Sequence, residues 1–302
     1  MWFKNLRIYT LANDFNVPNN LEENLAQHAF RPCGRQELAS FGWGSPFGQH
    51  SEVFTHQIGS AYLFCARKEE KVLPSAVVQA ELDEQVALIE NDQARKVGAK
   101  EKQNLKEDIV HRLLPQAFTR FRLTWGMLDT HFNIVVVDAA AANRAEDFLG
   151  LLRSSLGSLP VKPLFCEQAT DVYFTEWLQR GRVPGAFQFG DEVELRDHTE
   201  DGGIVRMRQH DLTGTELKTH LEHGKRAIKL GLLWRDRINF VLEHDLAIKK
   251  FKPTDVLVDE QDKLVEATPE QRIDADFALL AGEIKEFYPD LVNLFTDAST
   301  PQ

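Results

Sequence analysis

The chain has 302 residues, of which 43% are hydrophobic, and its 20 Phe and 5 Trp exclude a disordered acidic polymer. That is enough apolar mass for one large core or two to three smaller ones. Three cysteines at wide, irregular spacing, Cys33, Cys65 and Cys166, exclude a disulfide framework or a zinc cluster and fit reduced thiols. The net charge of -11 speaks against a nucleic-acid partner only as an average. Residues 90–125 carry eight Lys/Arg against five Asp/Glu, and residues 203–252 carry eleven against six. Residues 253–302 carry three against twelve, so two basic segments and an acidic tail share the chain. Charges further apart than about 10 Å are largely screened at 0.1 M salt, so a ligand senses the face it meets and not the total.

In chain order, residues 2–11 alternate as a strand and not as a signal peptide, and no run approaches the roughly 20 apolar residues of a membrane span, so the chain reads as soluble and cytoplasmic. Pro18 and Asn19-Asn20 open a short helix, 21–29, and the glycines and prolines of 42–48 predict a loop. Strands follow at 53–58 and 60–67, turning at Gly59-Ser60. Val78, Leu82, Val86 and Ile89 form an apolar stripe of a helix starting at Pro74-Ser75, and Leu105, Ile109 and Leu113 resume it after Gly98. The polar stretch between them, 93–102, predicts a projecting helical hairpin. Residues 117–125 and 132–138 read as an antiparallel pair, with helices at 141–156 and 171–180 ending at Gly157 and Gly181. Short strands at 185–189 and 204–209 flank an acidic segment and the turn at Asp201-Gly202-Gly203. Thr213 and Glu216 predict a capping box for a helix to His223. A three-stranded meander covers 226–251, and a final helical region, 272–295, breaks at Pro289. Connections too short for parallel crossovers make the class α+β, with mixed or mainly antiparallel sheets. The division is 1–73 plus 115–166 as a central α+β region, 74–114 as the projecting helices, and 167–302 as a C-terminal α+β region with the acidic tail.

Three basic clusters stand out. The first is Arg95, Lys96, Lys100, Lys102 and Lys106 on the hairpin; the second is Arg120 and Arg122, which share one strand face with Phe121 on the other. The third joins Arg206 and Arg208 to Lys225, Arg226, Lys229, Lys249, Lys250 and Lys252. Each alone is compatible with an ordinary solvated surface; on a common face they would neutralise phosphates. No zinc-finger, basic-zipper or RNA-recognition spacing is present, so any DNA would be read through backbone and shape. Catalytic patterns are weak. Gly42, Gly44 and Gly48 have neither Walker A nor dinucleotide spacing, and His220 and His223 lack a third ligand. Glu69-Glu70-Lys71 offers an isolated fragment of a metal-dependent nuclease, the enzyme alternative. A scaffold working through the acidic tail is a further alternative. Phe118, at a helix–strand junction, suits either a core or an exposed interface anchor.

Longer blocks carry a resemblance. They are Trp2-Phe3-Lys4-Asn5-Leu6, the run from Ala66 to Pro74, Gln93-Ala94-Arg95-Lys96, the run from Leu113 to Phe118, the run from Leu151 to Pro160, Thr175-Glu176-Trp177, Glu200-Asp201-Gly202-Gly203 and the run from Arg272 to Phe277. Over essentially its whole length the chain resembles the RdgC family of recombination-associated proteins. The resemblance implies a non-enzymatic, cofactor-free, nucleoid-associated protein whose crescent subunits form a ring-shaped homodimer. Such a ring encircles duplex DNA, binds single- and double-stranded DNA without marked sequence preference, and restrains RecA-promoted recombination. Carried over by position, Phe118 matches a dimer contact and Arg208-Gln209 match a Lys-Gln pair at the second contact. Arg95 matches a basic residue associated with DNA. Gln116 replaces an arginine of relatives, so a phosphate contact there is not carried over. The candidate DNA-binding set is therefore Arg95, Lys96, Lys100, Lys102, Arg120, Arg122, Arg206, Arg208, Lys225, Arg226 and Lys229, with Phe118, Arg208 and Gln209 at dimer contacts.

Overall fold

Strands whose two faces are both apolar have to be covered twice, and this requirement organises the chain. In the strand Leu6–Leu11 (β1), Leu6 and Ile8 enter one core cluster while Tyr9 and Leu11 enter another. Its neighbour Ile134–Asp138 divides in the same way, Ile134 and Val136 to one side, Val135 and Val137 to the other. An uninterrupted β-branched run is what double burial demands of a strand. The structure is a computed structural model, and it describes residues 1–49, 51–197, 202–257 and 268–296. The turn at Asp201 and part of the acidic tail lie outside the described residues.

The elements after β1 are α1 (Leu21–Ala26), β2 (Ala39–Gly44), β3 (Thr55–Ile58), β4 (Ala61–Val72), α2 (Ser75–Gln93) and α3 (Ala99–Leu113). Then come β5 (Phe118–Asp129), β6 (Ile134–Asp138), α4 (Ala142–Leu156), β7 (Val161–Pro163) and α5 (Thr170–Arg180). The last are β8 (Phe187–Arg196), β9 (Ile204–Arg208), α6 (Thr215–Glu222), β10 (Arg226–Trp234), β11 (Ile238–Glu243), β12 (Ile248–Pro253) and α7 (Pro269–Thr296). The strands form one open sheet in the order β2-β4-β5-β6-β1-β12-β11-β10-β8-β9, with β3 added to β4 and β7 to β1. All pairings between these strands are antiparallel, which makes the protein α+β. Helices α1 and α4 cover one face of the first half, where Trp43 packs edge-on against Phe148 at 5.3 Å. Helices α5, α6 and α7 cover one face of the second half, with Trp177, Phe277 and Phe287 fully buried. Gly126 is required where it stands, because a Cβ there would lie 2.2 Å from the Phe148 ring. Helices α2 and α3 bury Val78, Leu82 and Ile109 in a third, separate cluster, the chain reversing at Ala94 in the left-handed conformation.

Several sequence expectations need correction. The loop predicted over 42–48 is strand β2 as far as Gly44, paired with Cys65–Glu70. Gly42 is there for close approach, since its Cβ would lie 2.7 Å from the Phe30 backbone. The acidic segment after 189 continues β8 to Arg196, because Val193 and Leu195 alternate with the acids and are buried. No Thr213–Glu216 capping box forms: Gly214 precedes α6 without a side-chain cap, and Thr213 bonds instead to Asp211. Helix α7 runs through Pro289, because Phe287, Leu291 and Leu294 on either side are anchored in the core and offset the missing bond.

A buried hydrogen bond offers a direct check. Trp43 Nε1 donates to Ser155 Oγ at 2.8 Å, both buried. Ser155→Ala leaves that indole N–H unpaired and should cost about 1–3 kcal/mol in urea unfolding. Ser154→Ala, which removes only an exposed bond to the Gly150 carbonyl, should be near neutral.

Candidate nucleic-acid interface

Alternation along the strands of the second half sends apolar residues under the helices and charged residues to the other face. On β10, Leu230 and Leu232 are buried in the core, while Lys229 takes the opposite side. On β8, Val193 and Leu195 point inward and Glu192 and Glu194 outward; on β9, Arg206 and Arg208 point outward. Antiparallel register then aligns Arg206 with Glu194, Glu194 with Lys229, and Lys229 with Glu243.

The result is a row of alternating charge crossing five strands. Arg206 Nε donates to Glu194 at 2.8 Å, Lys229 lies 3.9 Å from Glu194 and 3.0 Å from Glu243, and Lys249 lies 3.5 Å from Glu243. Beside it, Lys250 reaches Glu192 at 2.6 Å and Arg208 approaches the same carboxylate at 3.8 Å. Arg196 adds a contact of 3.5 Å to Glu194. Six cations thus meet three carboxylates, a local net of +3 on a chain of net -11. The depths differ. The side chains of Glu192, Glu194 and Glu243 are 9–18% exposed, whereas those of Arg196, Arg206, Arg208 and Lys250 are 50–73% exposed. Carboxylates form the floor together with Lys249, Lys229 is half-buried, and the other four cationic heads form the surface. Burial raises the Glu194 pKa, but the hydrogen bond from Arg206 and the charges of Lys229, Arg206 and Arg196 outweigh it, leaving the carboxyl below its ordinary value of 4.5. An adjoining open groove of about 1220 Å³ is lined by Trp2, Phe189 and Phe251 together with Arg208, Gln209 and Lys250.

The remaining predicted residues fall elsewhere. Lys225 and Arg226 do not join the row; they line a recess beside α5 and α6, paired with Asp197 at 2.8 Å and Asp171 at 3.2 Å. The sequence placed them with Lys229, but Lys225 precedes β10, and Arg226, its first residue, reaches Asp171 of α5 instead of the row. Arg95 makes a two-pronged bond to Glu101, both at 2.8 Å, closing the α2–α3 turn. Lys96, Lys100 and Lys102 are exposed, and among the described residues no carboxylate pairs with them. Arg120 binds Glu70 at 2.8 Å, while Arg122 is exposed on the same face of β5. Phe121, on the other face, stacks its ring on the Arg67 guanidinium at 4.5 Å. Phe118 is 86% exposed, so the core alternative does not hold, and Gln209 is exposed with a φ of 53°. The sequence reading missed Arg196 and all three glutamates. Their signal was period-two alternation with Val193 and Leu195.

The nuclease fragment on β4 is structurally engaged. Buried Glu69 accepts the Cys33 N–H at 2.7 Å, and Glu70 is tied to Lys68 and Arg120. Among the described residues no group of three or more His, Cys, Asp or Glu is placed to hold a metal ion, and no helix is long and apolar enough to cross a membrane. Of the acidic tail, α7 is described, and its apolar face is core.

Fold and face together define an open antiparallel α+β sheet protein with a cation-topped sheet surface. The chain belongs to the RdgC family: the family described as "Putative exonuclease, RdgC" matches residues 1–298. Among similar proteins are the recombination-associated protein RdgC of Tolumonas auensis (strain DSM 9187 / NBRC 110442 / TA 4), 44% identical, and that of Yersinia pestis (strain Pestoides F), 42% identical. The protein of the same name from Yersinia pseudotuberculosis serotype O:1b (strain IP 31758) is also 42% identical. Each alignment covers 97% of this chain and 97% of the relative.

The depressed Glu194 pKa has a pH consequence. Its stabilising contribution is complete above the unfolded value and is lost as pH falls through the lower folded value. Urea midpoints measured on descending below the ordinary 4.5 should drop for the wild type and drop less for Glu194→Gln.

Proposed function

We propose that the protein binds DNA through its backbone, without reading sequence, as a homodimer that closes a ring around the duplex. By occupying DNA it restrains RecA-promoted strand exchange, acting in the nucleoid and not as an enzyme. The observation that carries this reading is the cation-topped face: phosphate-directed donors stand at the surface, and their balancing carboxylates are sunk beneath. Arginines and lysines so placed release counterions from DNA whatever the base sequence. Lys96, Lys100, Lys102 and Arg122 supply further exposed cations, and Lys225 and Arg226 have a secondary role through the recess near α5. Membership of a family whose relatives are named recombination-associated supports DNA as the partner class.

Phe118 and the Arg208–Gln209 pair form the two dimer contacts. Phe118, 86% exposed, stands opposite the exposed Val72 across the strand pair, and such an apolar patch suits a partner's surface. The engagement of Glu69 and Glu70 in structural bonds argues against nuclease chemistry on β4.

Encirclement is tested by topology. Closed circular DNA should retain the protein at salt that releases linear fragments, and linearisation by a restriction enzyme should free it. Phe118→Ala should leave folding stability within about 0.5 kcal/mol, since it is a surface change. It should also abolish retention on circles, because losing one of the two contacts opens the ring. Equal release from circles and linear fragments, or shortening of end-labelled DNA with magnesium or manganese, would refute this reading.

A further inference from the structure

The face that offers donors to phosphate also carries groups that compete for them. A carboxylate and a phosphate oxygen accept hydrogen bonds from the same guanidinium and ammonium N–H groups. Glu194 already takes one from Arg206 at 2.8 Å, Glu192 takes one from Lys250 at 2.6 Å, and Glu243 lies 3.0 Å from Lys229. The three acids are fixed in strands, nearly covered, and in register with the cations they hold. A phosphate meeting this surface has to share or displace an internal partner at each contact.

We infer that Glu192, Glu194 and Glu243 are positioning residues that moderate DNA affinity: they orient the cations outward and, by competing with phosphate, keep each contact weak. This rests on the DNA-binding reading above. A purely structural role, in which the ion pairs only tie strands together, predicts no effect of the acids on salt dependence. Competition predicts that removing one carboxylate frees a cation to release a counterion from DNA. Weak, exchangeable contacts suit a protein that moves along the duplex, because no single phosphate register is strongly preferred.

The test uses the full chain and a short duplex of mixed sequence, with binding measured by fluorescence anisotropy across a salt series. Glu192→Gln and Glu243→Gln keep shape and hydrogen-bonding capacity while removing charge. Each should tighten binding several-fold at low salt and steepen the log K against log salt slope by about 0.9. Glu286→Gln, on α7 and paired with Arg235 at 3.3 Å, removes the same charge away from this face and should leave both unchanged. Arg206→Ala should weaken binding. If Arg206→Ala weakens binding but neither glutamine variant changes affinity or slope, moderation is wrong while the DNA reading stands. Weaker binding by the glutamine variants, or an equal gain from Glu286→Gln, also overturns it. If the wild type binds no DNA, both fail. Urea midpoints confirm folding, and Glu192→Gln carries the test should Glu243→Gln be unstable.

Discussion

Cross-strand register between charged side chains is the interaction on which the functional face depends. Period-two alternation commits Leu230, Leu232, Val193 and Leu195 to the helix-covered core, which forces Lys229, Glu192 and Glu194 to the other side. Antiparallel pairing then sets unlike charges opposite each other across β9, β8, β10 and β11. Opposite-charge pairs in that position contribute roughly 0.2–1 kcal/mol each, enough to select geometry without dominating stability. Folding energy comes from the apolar side of the same strands; the charged side receives its shape as a consequence. A one-residue slip of β8 would bury the carboxylates and expose Val193 and Leu195, so the hydrophobic core enforces the polar surface.

The same arrangement resolves the conflict between an acidic chain and an anionic partner. Much of the negative excess lies in the C-terminal fifty residues, where α7 turns its apolar face to the core, while cations gather on the opposite side of the sheet. The total charge governs solubility and long-range repulsion. The local +3 of the row governs contact, within roughly the 10 Å over which charge is felt at 0.1 M salt.

Elements with local signals were legible in the sequence. The helices at α4 and α5 end at Gly157 and Gly181, both with positive φ, where the glycines predicted it. The meander of β10, β11 and β12 lies within a residue or two of its predicted span. Strand β2 was not legible, because Gly42 serves a close backbone approach whose partner, Phe30, is set by tertiary packing. The charge row was only half visible. Cations clustered along the chain drew attention, but Lys250 and Glu192 are 58 residues apart, and Lys225 and Arg226, though close to Lys229 in sequence, pair with acids outside the row. Clustering in sequence locates charge; strand alternation and register decide where it points.

The central claim is that DNA contacts the charged face of β8–β12, and lysine acylation footprinting read by mass spectrometry tests it most directly. With duplex DNA bound, Lys229 and Lys250 should lose reactivity while Lys285, exposed on α7, keeps it. Unchanged reactivity at Lys229 and Lys250, with protection appearing instead at lysines on the helix-covered side, would contradict the account.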